Sequence, residues 1–453
     1  MGKYFGTDGF RGEANVDLNP VHAYQIGRYL GWHFSMQEGR RGRIVIGKDT
    51  RRSSYMFENA LAAGIVASGA DAYLLHVTTT PCVAYITRTE YFDCGVMISA
   101  SHNPFYDNGI KLINNMGEKM DDALQDEIER YIDGLIPELP YATKENVGRN
   151  VDFYSGRNRY IGRLASIADC PFENRTIALD CANGSTWMIA RAVFTALGAK
   201  VIVINDHPDG TNINAGCGST HIEQLQELVR SNQVDCGFAF DGDGDRCLAV
   251  DENGEVVNGD KIMYLCARFM SENGQLPSNT VVTTVMSNLG LYKALDEIGV
   301  RYEKTAVGDR YVYENMKAND HLLGGEQSGH IIFRKYARSG DGLITAIMVM
   351  RVMIKTNLPL SSLVASVQTY PQVLKNVVVT DKESTLADAE IQKEVTAVES
   401  ELGSDGRVLL RASGTEPVLR VMAEAKTPAL CEACVDRVIA AMDRRGFLVE
   451  VRQ

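Results

Sequence analysis

The sequence predicts an α/β protein: three similar α/β domains with mixed sheets, followed by a smaller C-terminal α+β domain. Two observations carry this. One supersecondary pattern occurs three times, and the chain beyond Pro371 departs from it. In the first copy the apolar run Ile44-Val45-Ile46 ends in polar Lys48-Asp49-Thr50, a helix-like stretch leads to Gly69, and residues 70–75 read as a second strand. In the second, residues 176–184 lead through a helix-like stretch to Gly198 and the run Val201-Ile202-Val203-Ile204. In the third, residues 280–288 lead to Gly299 and a strand-like 300–304. Each reads as buried strand, polar turn, amphipathic helix, glycine stop and strand, and glycine suits the left-handed position that ends a helix. Alternating strand and helix implies parallel pairing. The tail reads differently: a strand at 373–379, a helix, two strand runs around Arg411 and Arg420, a helix near 430–442 and a last strand at 447–451. Linkers are expected near 150–160, 251–260 and 357–370, giving domains at 1–155, 156–254, 255–368 and 369–453.

A chain of 453 residues exceeds a single core, and 45% hydrophobic with 23% charged residues supplies several. The net charge of -12, from 46 basic and 58 acidic residues, argues against a nucleic-acid or anionic-membrane partner, because such binding rests on a positive field. Phosphate binding would need cations gathered locally. The ten cysteines are scattered, and the lone Cys431/Cys434 pair has no second pair to complete a zinc site. Free thiols fit a reducing compartment. No apolar stretch approaches the ~20 residues that span a bilayer, and the N-terminus has neither a signal-peptide core nor a myristoylation motif. A cytoplasmic protein without membrane contact is expected.

Four motifs carry chemistry. In the first, the apolar Val96-Met97-Ile98 delivers Ser99 and Ser101 to a polar turn with His102, Asn103 and Pro104, and Lys111 follows. A serine there can be a nucleophile if a base, cation or metal lies nearby; by spacing alone it caps the next element. Adjacent Ser101 and His102 do not suggest a triad, since neighbours on a strand face opposite ways. In the second, Asp241-Gly242-Asp243-Gly244-Asp245-Arg246 places three carboxylates at alternate positions of a glycine loop. Three like charges so close call for a hard divalent cation, Mg²⁺ if it also meets a phosphate oxygen. An EF-hand would put Glu252 at position 12 but Arg246 where the turn demands glycine. An aspartyl-phosphate phosphatase with Asp241 or Asp243 as nucleophile is the competing enzyme, and a calcium- or sugar-binding module the competing non-enzyme. In the third, Gly324-Gly325-Glu326-Gln327-Ser328-Gly329-His330 offers a carboxylate and a hydroxyl to sugar hydroxyls. In the fourth, Arg411-Ala412-Ser413-Gly414-Thr415, with Arg407 before and Arg420 beyond, forms a phosphate cradle, or an ordinary hairpin with surface arginines. Neither a P-loop nor GxGxxG is present.

Together and in this order the four motifs resemble the α-D-phosphohexomutase superfamily along essentially the whole chain. Phe5-Gly6-Thr7-Asp8-Gly9-Phe10-Arg11-Gly12 and the loop at Glu326 and Gln327 are most similar to its bacterial branch acting on glucosamine phosphates; other branches more often carry serine at position 8 and methionine at 327. The resemblance implies four domains around a central cleft. It implies phosphorylation of Ser101 and not Ser99, Mg²⁺ held by Asp241, Asp243, Asp245 and a phosphoserine oxygen, and Arg246 beside them. Glu326, Ser328 and His330, with Asp309 and Arg310 of a further loop, would meet the sugar. Arg411, Ser413, Gly414, Thr415 and Arg420 would hold the non-reacting phosphate. Arg11, His102 and Lys111 would position groups or move a proton. The implied reaction interconverts glucosamine 6-phosphate and glucosamine 1-phosphate through a phosphoserine and a 1,6-bisphosphate, with glucose and mannose phosphates as alternative substrates. A homodimer is left open.

Overall fold

The computed structural model describes residues 2–6, 8–37, 40–413 and 418–452. The chain divides into two units: residues 1–286 with 300–365, and residues 287–299 with 366–453. Three sheets lie in the first. A seven-stranded sheet runs Phe5–Gly6, Gly9–Glu13, Asp107–Asn114, Cys94–Ile98, Arg43–Lys48, Asp71–Val77 and Asn150–Asp152. A five-stranded sheet runs Val256–Val257, Cys247–Val250, Cys236–Phe240, Thr176–Asp180 and Lys200–Ile204. A four-stranded sheet runs Arg301–Thr305, Thr280–Thr284, Leu323–Gly325 and Ile331–Phe333.

Each predicted repeat is a parallel strand pair: Ile44 opposite Ala72, Ala178 opposite Ile202, Val282 opposite Glu303. The glycine stops are left-handed, with φ of +93° at Gly69, +94° at Gly198 and +66° at Gly299. All three sheets are mixed, and the mixing follows one rule. In each, a strand paired parallel to its neighbour turns back into an antiparallel one. Cys94–Ile98 turns into Asp107–Asn114, Cys236–Phe240 into Cys247–Val250, and Leu323–Gly325 into Ile331–Phe333. Those three turns hold the serine, acidic and glycine-rich motifs.

The second unit has an antiparallel sheet ordered Arg407–Ala412, Leu419–Glu424, Gln372–Val379 and Leu448–Arg452. Helices Ala389–Leu402 and Pro428–Arg444 pack on it, the latter burying Cys431 and Cys434 as ordinary core residues. Helix Leu289–Glu297 belongs here: Glu424 accepts from the Leu289 amide at 2.9 Å and Asn288 donates to the Tyr370 carbonyl at 2.9 Å.

The expected linkers are better ordered than their composition suggests. Asn150–Asp152 adds a parallel edge strand beside Asp71–Val77, and Tyr154–Ile167 is a helix. Residues 251–260 contain Val256–Val257 and the start of helix Gly259–Glu272, whose N-cap Asn258 accepts from the Lys261 amide. Helix Leu360–Val364 lies within 357–370.

Candidate active site

The serine, acidic and sugar-loop motifs converge in the first unit. Strand Cys94–Ile98 is buried along its length and ends just before the two serines. Ser99 turns inward: its Oγ donates to Asp49 Oδ2 at 2.7 Å and accepts from the Ser101 amide at 3.0 Å. Ser101 takes a left-handed backbone, φ +52°. Its Oγ donates to Asp241 Oδ2 at 2.6 Å and lies 3.3 Å from His102 Nδ1. Two expectations from spacing are corrected. Ser101 caps no helix; the next, Asp122–Ile132, is capped by Asp121. Ser101 and His102 do not face opposite ways, because both lie in the turn beyond the strand and the left-handed residue brings the imidazole back to the hydroxyl.

The acidic loop joins two antiparallel strands, Cys236–Phe240 and Cys247–Val250. One oxygen each from Asp241, Asp243 and Asp245 lies within 4.8 Å of the others, and all three residues are buried. Asp243 Oδ1 and Asp245 Oδ1 are buried without a hydrogen-bond partner. Burial, then Asp245 and Asp243, push Asp241 well above the usual carboxylate range. Burial works the same way on Asp243, but Lys111 at 2.8 Å and Thr80 at 2.5 Å hold its carboxyl low. Orphaned, mutually repelling oxygens facing one point are what an oxygen-loving divalent cation satisfies. The strand flanks exclude an EF-hand, and Glu252 is bonded to Ser361 instead. Close approach explains the glycines: a Cβ at Gly242 would sit 2.5 Å from the Ser101 carbonyl oxygen.

Cations surround the acids. Lys111 Nζ is 2.8 Å from Asp243, 3.2 Å from Asp8 and 3.8 Å from Asp245. Burial disfavours its charge, but Asp243, Asp8 and Asp245 overcome that and raise its pKa. Arg246 donates its backbone amide to Asp241 Oδ1 at 3.1 Å; burial opposes its guanidinium, and Asp241, Asp245 and Glu326 sustain it. Arg11 pairs with Asp8. Burial, Arg246 and Arg11 bring His102 down to about 4, so its imidazole is neutral near pH 7.

The sugar loop borders the same space. Glu326 Oε1 accepts from the Gly308 amide at 3.1 Å, Ser328 is exposed, and buried His330 has Nε2 3.5 Å from Asp309 Oδ2. Asp309 also takes Lys119 at 2.8 Å. Arg310 pairs with Asp122 at 2.9 Å and Glu314 at 2.8 Å, on the wall of the same space. A cavity of about 330 Å³ opens here, with Asp8, Lys111, Asp245, Asp309 and His330 on its polar side.

Sequence reasoning missed three partners. Asp8 was noted only as a branch marker, yet it gathers Lys111, Lys119 at 3.1 Å and Arg11. Lys119 and Thr80 carried no local signal at all.

In the second unit Arg411 and Arg420 are direct cross-strand partners, and Ser413 is buried with its amide bonded to the Val418 carbonyl at 2.9 Å. Burial, with the Arg420 charge adding to it, lowers the Arg411 pKa. Gly414 and Thr415, and Thr7 of the N-terminal motif, lie outside the described residues. Arg407 does not join the cradle; Glu424 holds it at 2.7 Å.

Paired serine and metal-capable loops on successive α/β sheets define a phosphosugar mutase fold, and the chain belongs to the phosphoglucomutase/phosphomannomutase family. That family's α/β/α domains I, II and III match residues 2–136, 158–254 and 258–370, and its C-terminal domain matches 374–441. A phosphoglucosamine mutase from Lachnospira eligens is 61% identical over 450 residues, 99% of this chain and 100% of that protein. A phosphoglucomutase/phosphomannomutase family protein of Burkholderia thailandensis has the same fold, with a TM-score of 0.82 at 24% identity over 97% of both chains. So does an N-acetylphosphoglucosamine mutase of Aspergillus fumigatus, solved with GlcNAc-6P and magnesium: TM-score 0.71, 18% identity, 98% of this chain and 96% of that one. Among the described residues no helix is long and apolar enough to cross a membrane.

Proposed function

We propose that this chain interconverts glucosamine 6-phosphate and glucosamine 1-phosphate, with Ser101 as phosphoryl carrier. The observation that carries the reading is the Ser101 hydroxyl held 2.6 Å from Asp241 at the edge of three buried carboxylates. Phosphorylated Ser101 gives its phosphoryl to the sugar O1: the P–Oγ bond breaks and Oγ takes up a proton, while a P–O1 bond forms and the O1 hydroxyl gives up its own. The resulting 1,6-bisphosphate turns round, and its 6-phosphoryl returns to Oγ with the reverse proton movement. His102, neutral and beside Oγ, accepts the Oγ proton when the phosphoryl returns to Ser101 and gives a proton to Oγ when it departs. Lys111, locked among carboxylates, is a fixed cation that steadies the transferring charge. Asp241, Asp243 and Asp245 hold Mg²⁺, which when bound offsets phosphoryl charge; their orphaned oxygens suit it. Glu326, Ser328, His330 and Asp309 meet the sugar, while Arg411, Ser413 and Arg420, with Gly414 and Thr415, bind a phosphate group. The four sheets correspond to four domains at 1–155, 156–254, 255–368 and 369–453. The same reading puts the enzyme in the cytoplasm and leaves a homodimer open.

A phosphatase using Asp241 would leave an acid-labile acyl phosphate, whereas a mutase leaves an acid-stable phosphoserine. Peptide mapping after acid treatment, followed by turnover of glucosamine, glucose and mannose 6-phosphates, tests both levels. Phosphate missing from Ser101 overturns the mechanism; faster turnover of glucose or mannose phosphate overturns only the substrate.

A further inference from the structure

Two residues that touch none of the reacting atoms, Arg51 and Asn214, donate to the carbonyl of Ser101, whose backbone is left-handed. Arg51 and Asp49 are both fully buried. Asp49 takes Arg51 Nε at 2.7 Å and the Ser99 and Ser54 hydroxyls at 2.7 and 2.6 Å. The rest of the guanidinium is spent on one loop. Its NH2 donates to the carbonyls of Ser101 at 2.9 Å and Asn103 at 2.8 Å; its NH1 donates to those of Asp107 at 3.1 Å and Pro104. Asn214, from the next sheet's connections, adds Nδ2 bonds to the same Ser101 and Asn103 carbonyls at 2.9 and 3.1 Å. A left-handed non-glycine residue costs about 1–2 kcal/mol and persists only where surroundings over-determine it.

We propose that Arg51 and Asn214 are positioning residues of the phosphoryl transfer, clamping the 101–107 carbonyls so that Oγ faces the acidic loop. The proposal rests on Ser101 being the carrier. Both half-reactions use the same Oγ, so a loosened loop slows both, while the groups that bind the sugar are untouched. Lysine cannot substitute at position 51: one ammonium has three donors and no planar fork with which to span four carbonyls and a carboxylate.

The test compares Arg51→Lys and Asn214→Ala with wild type, each assayed well below its own Tm. Expected are kcat losses of about 10²-fold for Arg51→Lys and roughly tenfold for Asn214→Ala, with KM for glucosamine 6-phosphate within about threefold, since misplacement by about 1 Å costs this much. Amide hydrogen exchange across 101–107 should quicken in Asn214→Ala while the Cys94–Ile98 strand keeps its protection. Should Arg51→Lys fail to fold, Asn214→Ala decides alone. Wild-type kcat in Asn214→Ala, or a raised KM at unchanged kcat, overturns the clamp. Absence of phosphate from wild-type Ser101 overturns instead the carrier reading beneath it.

Discussion

At the scale of single residues, Ser101 sits where a nucleophile can be activated. Its hydroxyl faces a carboxylate whose own pKa is raised and a neutral imidazole, with fixed cations one layer behind. Ser101→Ala should abolish incorporation of phosphate and lower turnover by at least about 10³-fold, read by intact mass and a coupled assay, because no other hydroxyl replaces an activated nucleophile. His102→Gln should retain phosphate and substrate affinity but lose about 10²-fold or more in kcat, the usual contribution of a positioned base. A second buried acid makes a pH prediction. Asp341 caps helix Gly342–Thr356, takes the Tyr160 hydroxyl at 2.7 Å, and is pushed by burial up to about 6. A carboxyl raised in the fold binds more protons there than in the unfolded chain. Stability from this group therefore falls as pH rises through about 4 to 6 and stays lower above, by about 3 kcal/mol. In Asp341→Asn, which keeps the cap, urea unfolding should show the variant gaining on wild type between pH 4.5 and 7; parallel pH profiles would refute the shift.

At the scale of elements, all three converging motifs sit where a parallel strand turns into an antiparallel one, and Gly242 and Gly329 in the acidic and sugar loops admit a neighbouring backbone. Gly242→Ala should cost about 1–3 kcal/mol in stability through overpacking and lower kcat, since the Cβ would displace the Ser101 carbonyl; differential scanning and steady-state assays check both. What the sequence disclosed follows from this geometry. The stops at Gly69, Gly198 and Gly299 were legible because a left-handed residue is a local demand. The Asp241–Asp245 cluster was legible because carboxylates at alternate positions of one loop meet without help from elsewhere. The clamp on Ser101 was not, since Arg51 and Asn214 stand 50 and 113 positions from the carbonyl they hold. Nor was the strand Asn150–Asp152, two exposed residues around a half-buried Val151 that join the edge of the sheet.

At the scale of the whole molecule, a net charge of -12 coexists with a site rich in cations because nearby acids hold those cations in place: Lys111, Lys119 and Arg11 all converge on half-buried Asp8. Removing a divalent ion should leave the three aspartates repelling one another, so chelation should abolish turnover, lower Tm, and be reversed by Mg²⁺. In the second unit, Arg407→Met strands the fully buried Glu424 carboxylate without its guanidinium. A loss of about 3 kcal/mol is expected by urea unfolding, as when one partner of a buried pair is removed.

The unit boundary is crossed by the chain three times, after residues 286, 299 and 365. During synthesis, helix Leu289–Glu297 leaves the ribosome long before Glu424, which must cap it, and at about 5–20 residues per second that wait is on the order of ten seconds. For that interval the nascent helix lacks the carboxylate that accepts from its first amide. The same threading means that a graft of the C-terminal domain from a relative inherits a mismatched helix unless residues 287–299 travel with it.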